Sequence, residues 1–225
     1  MAIEKTIFAE TDFTANLGEV YTWLQANASG LFDSITFNES DLITCTVGGT
    51  KAVEIGYNSS YSHIYINLYT KNNIVYSTVN NKENMVATHA YKTSKGIAIQ
   101  LSIPTAPTNW NGTAWLFVFQ TSGGNVGAVL NGSTGTSNAL FIRGCDFAKD
   151  IVLSELSTGS VTTTIINIGM TLTSLCPLPL GNGGTSPDGL FLVPYTEMSA
   201  RGWQDLIIDI GGKKYVYNGI LAFEE

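Results

Sequence analysis

The chain has 225 residues, 44% hydrophobic and 11% aromatic but only 13% charged, about half of the roughly 25% usual in globular domains. A net charge of −7, with 11 basic residues set against 18 acidic ones and no basic cluster, argues against a phosphate-tracking nucleic-acid groove and against polybasic attachment to a membrane. The apolar content excludes a disordered chain, and the length is enough to bury a core without a disulfide or metal staple.

One helix is expected near the start. Asp12 is a candidate N-cap, and Phe13, Leu17, Val20, Tyr21 and Leu24 follow at helical spacing, opposite a polar face of Glu19, Thr22 and Gln25. Asn27, Ser29 and Gly30 end it. The spacing predicts a helix over residues 13–26 that packs one face on a sheet or a neighbouring subunit.

Beyond Gly30 the apolar period becomes two. Residues 34–38 predict a short strand, and residues 42–47 with 51–57 a hairpin turned by Gly48-Gly49, where glycine supplies the positive φ of a primed turn. Over residues 62–70, His63, Tyr65, Asn67 and Tyr69 alternate with Ile64, Ile66 and Leu68; the second set is the expected core face. Strands continue at 73–79, 85–92 and 96–103. Residues 104–112, with Pro104, Pro107, Asn109, Asn111 and Gly112, predict an exposed connection.

Strands resume at 113–121 and 126–130, joined through residues 122–125. The run Trp115-Leu116-Phe117-Val118-Phe119 is apolar on both faces, which marks a central strand. A polar loop is expected over 131–138, then strands at 139–143, 150–156, 160–168 and 171–176. Pro177 and Pro179 lack the amide donors a central ladder needs. Residues 181–189 read as a loop, and strands close the sequence at 190–194, 205–210, 213–217 and 220–223, with a Gly211-Gly212 turn. About 14 short strands and one helix predict a mostly β fold, an antiparallel sandwich or jelly-roll-like domain. It spans residues 31–225, preceded by an N-terminal segment and amphipathic helix over residues 1–30.

Chemistry-bearing motifs are sparse. Cys45, Cys145 and Cys176 are odd in number and lie at no CxxC spacing, so reduced and largely buried thiols are expected, as in a reducing compartment. His63 and His89 lie in strand patterns without a His or carboxylate at ligand spacing. No nucleophile-elbow, zinc-protease, phosphate-loop or dinucleotide motif occurs. Asp188 with Ser186 and Asn182 falls short of the roughly six to eight oxygens calcium takes. Glu54, between Val53 and Ile55, points away from a buried face, and no two acids stand out as a glycosidase pair. No metal and no cofactor are expected, and the first residues hold no apolar signal-peptide core. The expectation is a binding or structural protein, not an enzyme.

What remains is aromatic. Tyr57 and Tyr61 bracket Asn58-Ser59-Ser60, Trp110 lies in the Pro/Asn segment, and Trp203 follows Arg201-Gly202. Loop aromatics beside Asn and Asp suit sugars, because a ring stacks on the pyranose face while amides bond the hydroxyls. Tyr57, Tyr61, Trp110 and Trp203 are therefore candidate ligand-binding residues, with packing or a subunit interface as the competing account. Trp23 and Trp115, inside patterned elements, are expected in the core.

Four places carry a resemblance that spans nearly the full length. They are the opening Met1-Ala2-Ile3-Glu4-Lys5-Thr6-Ile7-Phe8-Ala9-Glu10-Thr11-Asp12-Phe13, then Tyr91-Lys92-Thr93-Ser94-Lys95-Gly96-Ile97-Ala98, then Ser174-Leu175-Cys176-Pro177-Leu178-Pro179, and the closing Lys214-Tyr215-Val216-Tyr217-Asn218-Gly219. In these the chain resembles small virion structural proteins of phages and prophages of Gram-positive bacteria. The resemblance implies a virion component of the tail tip, baseplate or tail fibre, assembled in the host cytoplasm with other virion proteins. It implies a symmetric homo-oligomer, a trimer being favoured, and loops that face a host-surface glycan. It also implies that the N-terminal segment or the helix stripe of Phe13, Leu17, Val20, Tyr21 and Leu24 anchors the assembly. No catalytic residue is carried over. A capsid decoration protein or head fibre, and a free carbohydrate-binding module, stand as alternatives.

Overall fold

The computed structural model describes residues 2–38, 41–70, 73–77, 84–105, 113–121, 123–134, 139–148, 151–157, 176–177, 188–192, 207–218 and 221–225. The chain begins with a short strand, β1 (Glu4–Ile7), and the helix α1 (Phe13–Asn27). Asp12 starts the helix from an extended backbone, its Oδ1 accepting the Ala15 N–H at 3.0 Å. That hydrogen bond satisfies one of the amides a helix leaves orphaned at its first turn. At the other end the Ala28 N–H still reaches the Leu24 carbonyl before the chain turns away.

Three antiparallel sheets follow. The first is a meander of β2 (Ser34–Phe37), β3 (Leu42–Val47), β4 (Thr50–Asn58), β5 (His63–Thr70) and β6 (Asn73–Ser77), in that spatial order. Gly48 and Gly49 make its tight turn at φ of +60° and +73°, as the sequence required. The second sheet is seven-stranded, in the order β1-β7-β8-β9-β10-β11-β12. Its later strands are β7 (Val86–Lys92), β8 (Gly96–Ser102), β9 (Thr113–Gln120), β10 (Val126–Thr134), β11 (Ala139–Asp146) and β12 (Ile151–Ser157). The third sheet holds β13 (Cys176–Pro177), β14 (Leu190–Leu192), β15 (Ile207–Ile210), β16 (Lys213–Tyr217) and β17 (Leu221–Glu224), in the order β13-β14-β17-β16-β15. Among the described residues Pro177 falls on an edge strand, where its missing donor breaks no ladder.

Strand alternation decides how these sheets stack. On one face of the seven-stranded sheet, Ile97, Ile99, Leu101, Leu116, Val118, Ala128 and Leu130 share one core with Ile43, Val53, Ile55, Ile64, Ile66 and Leu68 of the first sheet. Helix α1 closes that core with Leu17, Val20, Trp23 and Leu24. On the opposite face, Tyr91, Trp115 and Phe117 form a row of near-parallel rings, and Phe117 meets Phe223 of the third sheet edge-on at 5.8 Å. The third sheet is pinned there by hydrogen bonds from Ser94 Oγ to the Glu225 carbonyl and from Asn218 Nδ2 to Asn131 Oδ1. β9 thus lies mid-sheet in a middle layer, so both of its faces are buried, as its unbroken apolar run implied. The fold is mostly β and antiparallel with one helix near the N-terminus.

The structure corrects several expectations. Residues 131–134 are not loop: β10 runs on to Thr134, with Asn131 paired across to both Trp115 and Ile142. A polar residue survives inside that ladder because its side chain is bonded to Asn218. β11 likewise extends to Asp146. β1 escaped the pattern because four residues carrying Glu4, Lys5 and Thr6 offer almost no alternation. β1 is paired to β7, and α1 roofs the main core. The strands expected at 160–168 and over most of 171–176 lie outside the described residues. No helix among the described residues is long and apolar enough to cross a membrane.

Candidate functional site

The aromatic candidates separate in space. Tyr57 packs inward, its half-buried ring stacked on Phe13 at 4.4 Å, so it belongs to the helix–sheet contact and corrects the expectation of a ligand-binding ring. Tyr61, at the β4–β5 turn, is 57% exposed and stacks loosely on His63 at 6.0 Å. Trp110 and Trp203 lie outside the described residues. Trp23 and Trp115 are buried. The helix stripe is spent within the chain. Leu17, Val20 and Leu24 are fully enclosed, Phe13 stacks on Tyr57, and Tyr21 packs on Phe37 at 5.4 Å. Leu17, Val20 and Leu24 have no surface left for another protein, which corrects the expectation that this stripe is an anchor.

The side chains that converge instead are on the outer face of the first sheet. Alternation along β5 turns Ile64, Ile66 and Leu68 into the core and His63, Tyr65, Asn67 and Tyr69 to the opposite face, where Tyr65 and Tyr69 are half-buried and His63 and Asn67 buried. On the neighbouring strand, Glu54 lies opposite Asn67, and Gly56 opposite Tyr65. Glu54 is the hub. Its Oε2 accepts from Lys51 Nζ at 2.8 Å, and its Oε1 accepts from Asn67 Nδ2 at 3.0 Å and from the Tyr65 hydroxyl at 3.3 Å. The Tyr69 hydroxyl also hydrogen-bonds to this carboxylate. Lys51 Nζ lies 4.9 Å from the centre of the Tyr69 ring, a cation–π contact.

Gly56 sets the pose of Tyr65. A Cβ placed on Gly56 would lie 2.6 Å from the Tyr65 hydroxyl oxygen and 2.7 Å from the ring carbon bearing it. The phenol end of this half-buried ring therefore rests directly on the backbone of the next strand. Glycine leaves the only surface flat enough for this.

The electrostatics follow from the geometry. Burial alone would raise the Glu54 carboxyl, but hydrogen bonds from Lys51, Tyr69 and Asn67 outweigh it and hold the group below its ordinary range. Burial, with the Glu54 charge beside it, pushes the Tyr65 phenol up to about 12. His63 and His89 are both held below the usual imidazole value by burial, His89 also by the nearby Lys5. Burial pushes the Cys45 thiol up to about 12 and the Cys145 thiol higher. Among the described residues no group of three or more His, Cys, Asp or Glu side chains could hold a metal ion.

Two depressions lie elsewhere. A cleft of about 280 Å³ between the end of α1 and the β7–β8 turn is lined by Lys92, Lys95, Gln120 and Asp188, with Lys95 bonded to Asp188 at 2.8 Å. A shallow groove of about 530 Å³ between β1 and α1 is lined by Ile7, Phe8, Gly18, Thr22, Trp23 and Ala26.

The sequence showed that Glu54 and the β5 row point outward. It gave no sign that they meet, because that depends on the β4–β5 register. Compared with known proteins, the chain matches no family model, no curated protein and no solved structure.

Proposed function

We propose that this chain is a non-enzymatic structural protein of a bacteriophage particle, placed at the tail tip, baseplate or tail fibre, where it contacts a glycan of the host surface. The sequence resemblance supplies the virion half of this reading. The observation that carries the recognition half is the row of exposed Tyr61 and half-buried Tyr65 and Tyr69 on one face of the sheet, beside a buried carboxylate and the buried His63 and Asn67. Rings offer sugars their apolar face, and fixed amides and ammonium groups bond the hydroxyls. A strand holds such groups on a rigid scaffold, which lowers the ordering cost of binding.

In this reading the protein is a homo-oligomer, a trimer, that joins other virion proteins through surfaces other than the enclosed helix stripe. The test is immunogold labelling of intact particles with antibody to this protein. Gold at the tail tip is the expected result. Gold over the head would make it a capsid decoration protein or head fibre. Particles that hold their other structural proteins but take no label would overturn the virion reading.

A further inference from the structure

Resting on the glycan-binding reading, we infer that Tyr65 is the stacking platform of a site for an uncharged glycan, with Lys51 as its hydrogen-bonding group and Glu54 and Asn67 as positioning residues. Three observations converge on this assignment.

The first is the pose of Tyr65. One side of its ring is seated on Gly56, and its hydroxyl is tied to Glu54. The phenol end of the ring is thus held against the sheet before any ligand arrives. A pyranose stacking on the outer side finds its partner pre-ordered and costs little side-chain entropy.

The second is the saturation of Glu54. A carboxylate offers roughly four acceptor sites, and Lys51, Tyr65, Asn67 and Tyr69 all donate to this one. It has nothing left for a ligand, so its part is to orient the groups around it. Lys51 spends one N–H on it and carries more than one, while Asn67 is buried and divides its amide between Glu54 and the Tyr69 hydroxyl. The further donors of Lys51, beside the Tyr65 ring, suit sugar hydroxyls.

The third is charge. The Lys51 ammonium and the Glu54 carboxylate form an ion pair at 2.8 Å and cancel, so the platform offers no excess positive charge, on a chain whose formal charge is −7. A phosphate-rich polymer would be repelled by the chain as a whole. A cationic sugar would find Glu54 already occupied and Asp41, the other carboxylate near Tyr65, bonded to Asn38 at 2.9 Å. An uncharged glycan meets neither obstacle.

The experiment measures binding of the full chain to a panel of uncharged cell-wall polysaccharides and to a glycerol-phosphate polymer, by calorimetry, with thermal unfolding recorded for every variant. The wild type is expected to bind an uncharged polysaccharide and to give a tyrosine ultraviolet difference signal on doing so. Tyr65→Ala should weaken that binding by about tenfold or more and abolish the signal. Gly56→Ala retains every ligand-contacting side chain but lifts Tyr65 from its seat, so it should weaken binding similarly at near-normal thermal stability. Glu54→Gln should weaken binding and shrink the signal, which a purely structural role would leave unchanged in a folded variant. Wild-type-like binding by both folded Tyr65→Ala and Gly56→Ala would overturn the site while leaving the glycan-binding reading in place. Binding to the glycerol-phosphate polymer alone would overturn the ligand class. Binding to neither would overturn this inference together with the recognition half of the proposed function, and particle labelling would then judge the virion half by itself.

Discussion

Tyr65 rests on Gly56: the phenol end of one side chain covers the bare Cα of its cross-strand neighbour, with 2.6 Å between the hydroxyl oxygen and the place a Cβ would occupy. The obstacle to a larger residue at Gly56 is the far end of a movable side chain, with Leu42 Cδ1 next at 3.0 Å. Gly56→Ala should therefore change stability by less than about 1 kcal/mol, since alanine also removes glycine's entropic cost in a strand. Gly96 has a backbone obstacle. Its φ is +151°, and a Cβ would lie 2.1 Å from the Val118 carbonyl oxygen on the neighbouring strand. Gly96→Ala should cost at least about 2 kcal/mol. Denaturant unfolding of the two variants checks the contrast, and equal losses would refute it.

Asn16 takes the place of a strand. β1 ends at Ile7, opposite His89, and further along β7 the sheet edge at Ala87 is met by the helix instead. Asn16 Nδ2 donates to the Ala87 and Glu10 carbonyls at 2.8 Å each, and Oδ1 accepts the Ala87 N–H at 2.9 Å. Asn16→Leu leaves the Ala87 amide and carbonyl buried without their partner and should cost about 2–4 kcal/mol. The nearly isosteric Asn16→Asp should do no better, because a carboxylate has no N–H for the two carbonyls. Leu17→Ala, which opens a cavity at the next position, should fall in the same range. A shift in the urea midpoint of Asn16→Leu no larger than that of an exposed-site substitution such as Gln25→Ala would refute the docking role.

The Glu54 network should make stability fall in acid. Because the folded-state pKa is depressed, the contribution is complete above the unfolded carboxyl's pKa of about 4.3 and is lost as pH falls through the lower folded value. Lys51 has the opposite sign. Its pKa is raised, first by its hydrogen bond to Glu54, so its contribution is present below about pH 10.4 and lost as pH rises through the folded value. Melting curves of the wild type and Glu54→Gln should therefore differ most at neutral pH and converge at both extremes. A constant difference from pH 3 to 7 would disprove the linkage.

Cys45 and Cys145 are buried, with thiols held well above the ordinary range by desolvation. In the native protein a thiol reagent should leave both unmodified, while all three cysteines of the sequence should react after unfolding. Mass spectrometry of alkylated native protein locates the label. Rapid modification of either residue would contradict their enclosure.

Much of the local structure was written into the sequence. The helix over Phe13–Asn27, the Gly48-Gly49 and Gly211-Gly212 turns, the two faces of β5 and the central place of β9 all follow from period and turn chemistry. These depend only on which side of an element a residue lies. Tertiary structure alone decided what covers each side. Alternation turns Tyr57 to the core face with Val53 and Ile55 while Tyr61 lies in the turn, but only the docked helix brings the Phe13 ring on which Tyr57 stacks. The apolar stripe of α1 demanded burial, and the stacking of the sheets decided that the chain's own core would supply it. Glu54 and its partners are set by cross-strand register, a relation between segments that no local pattern encodes.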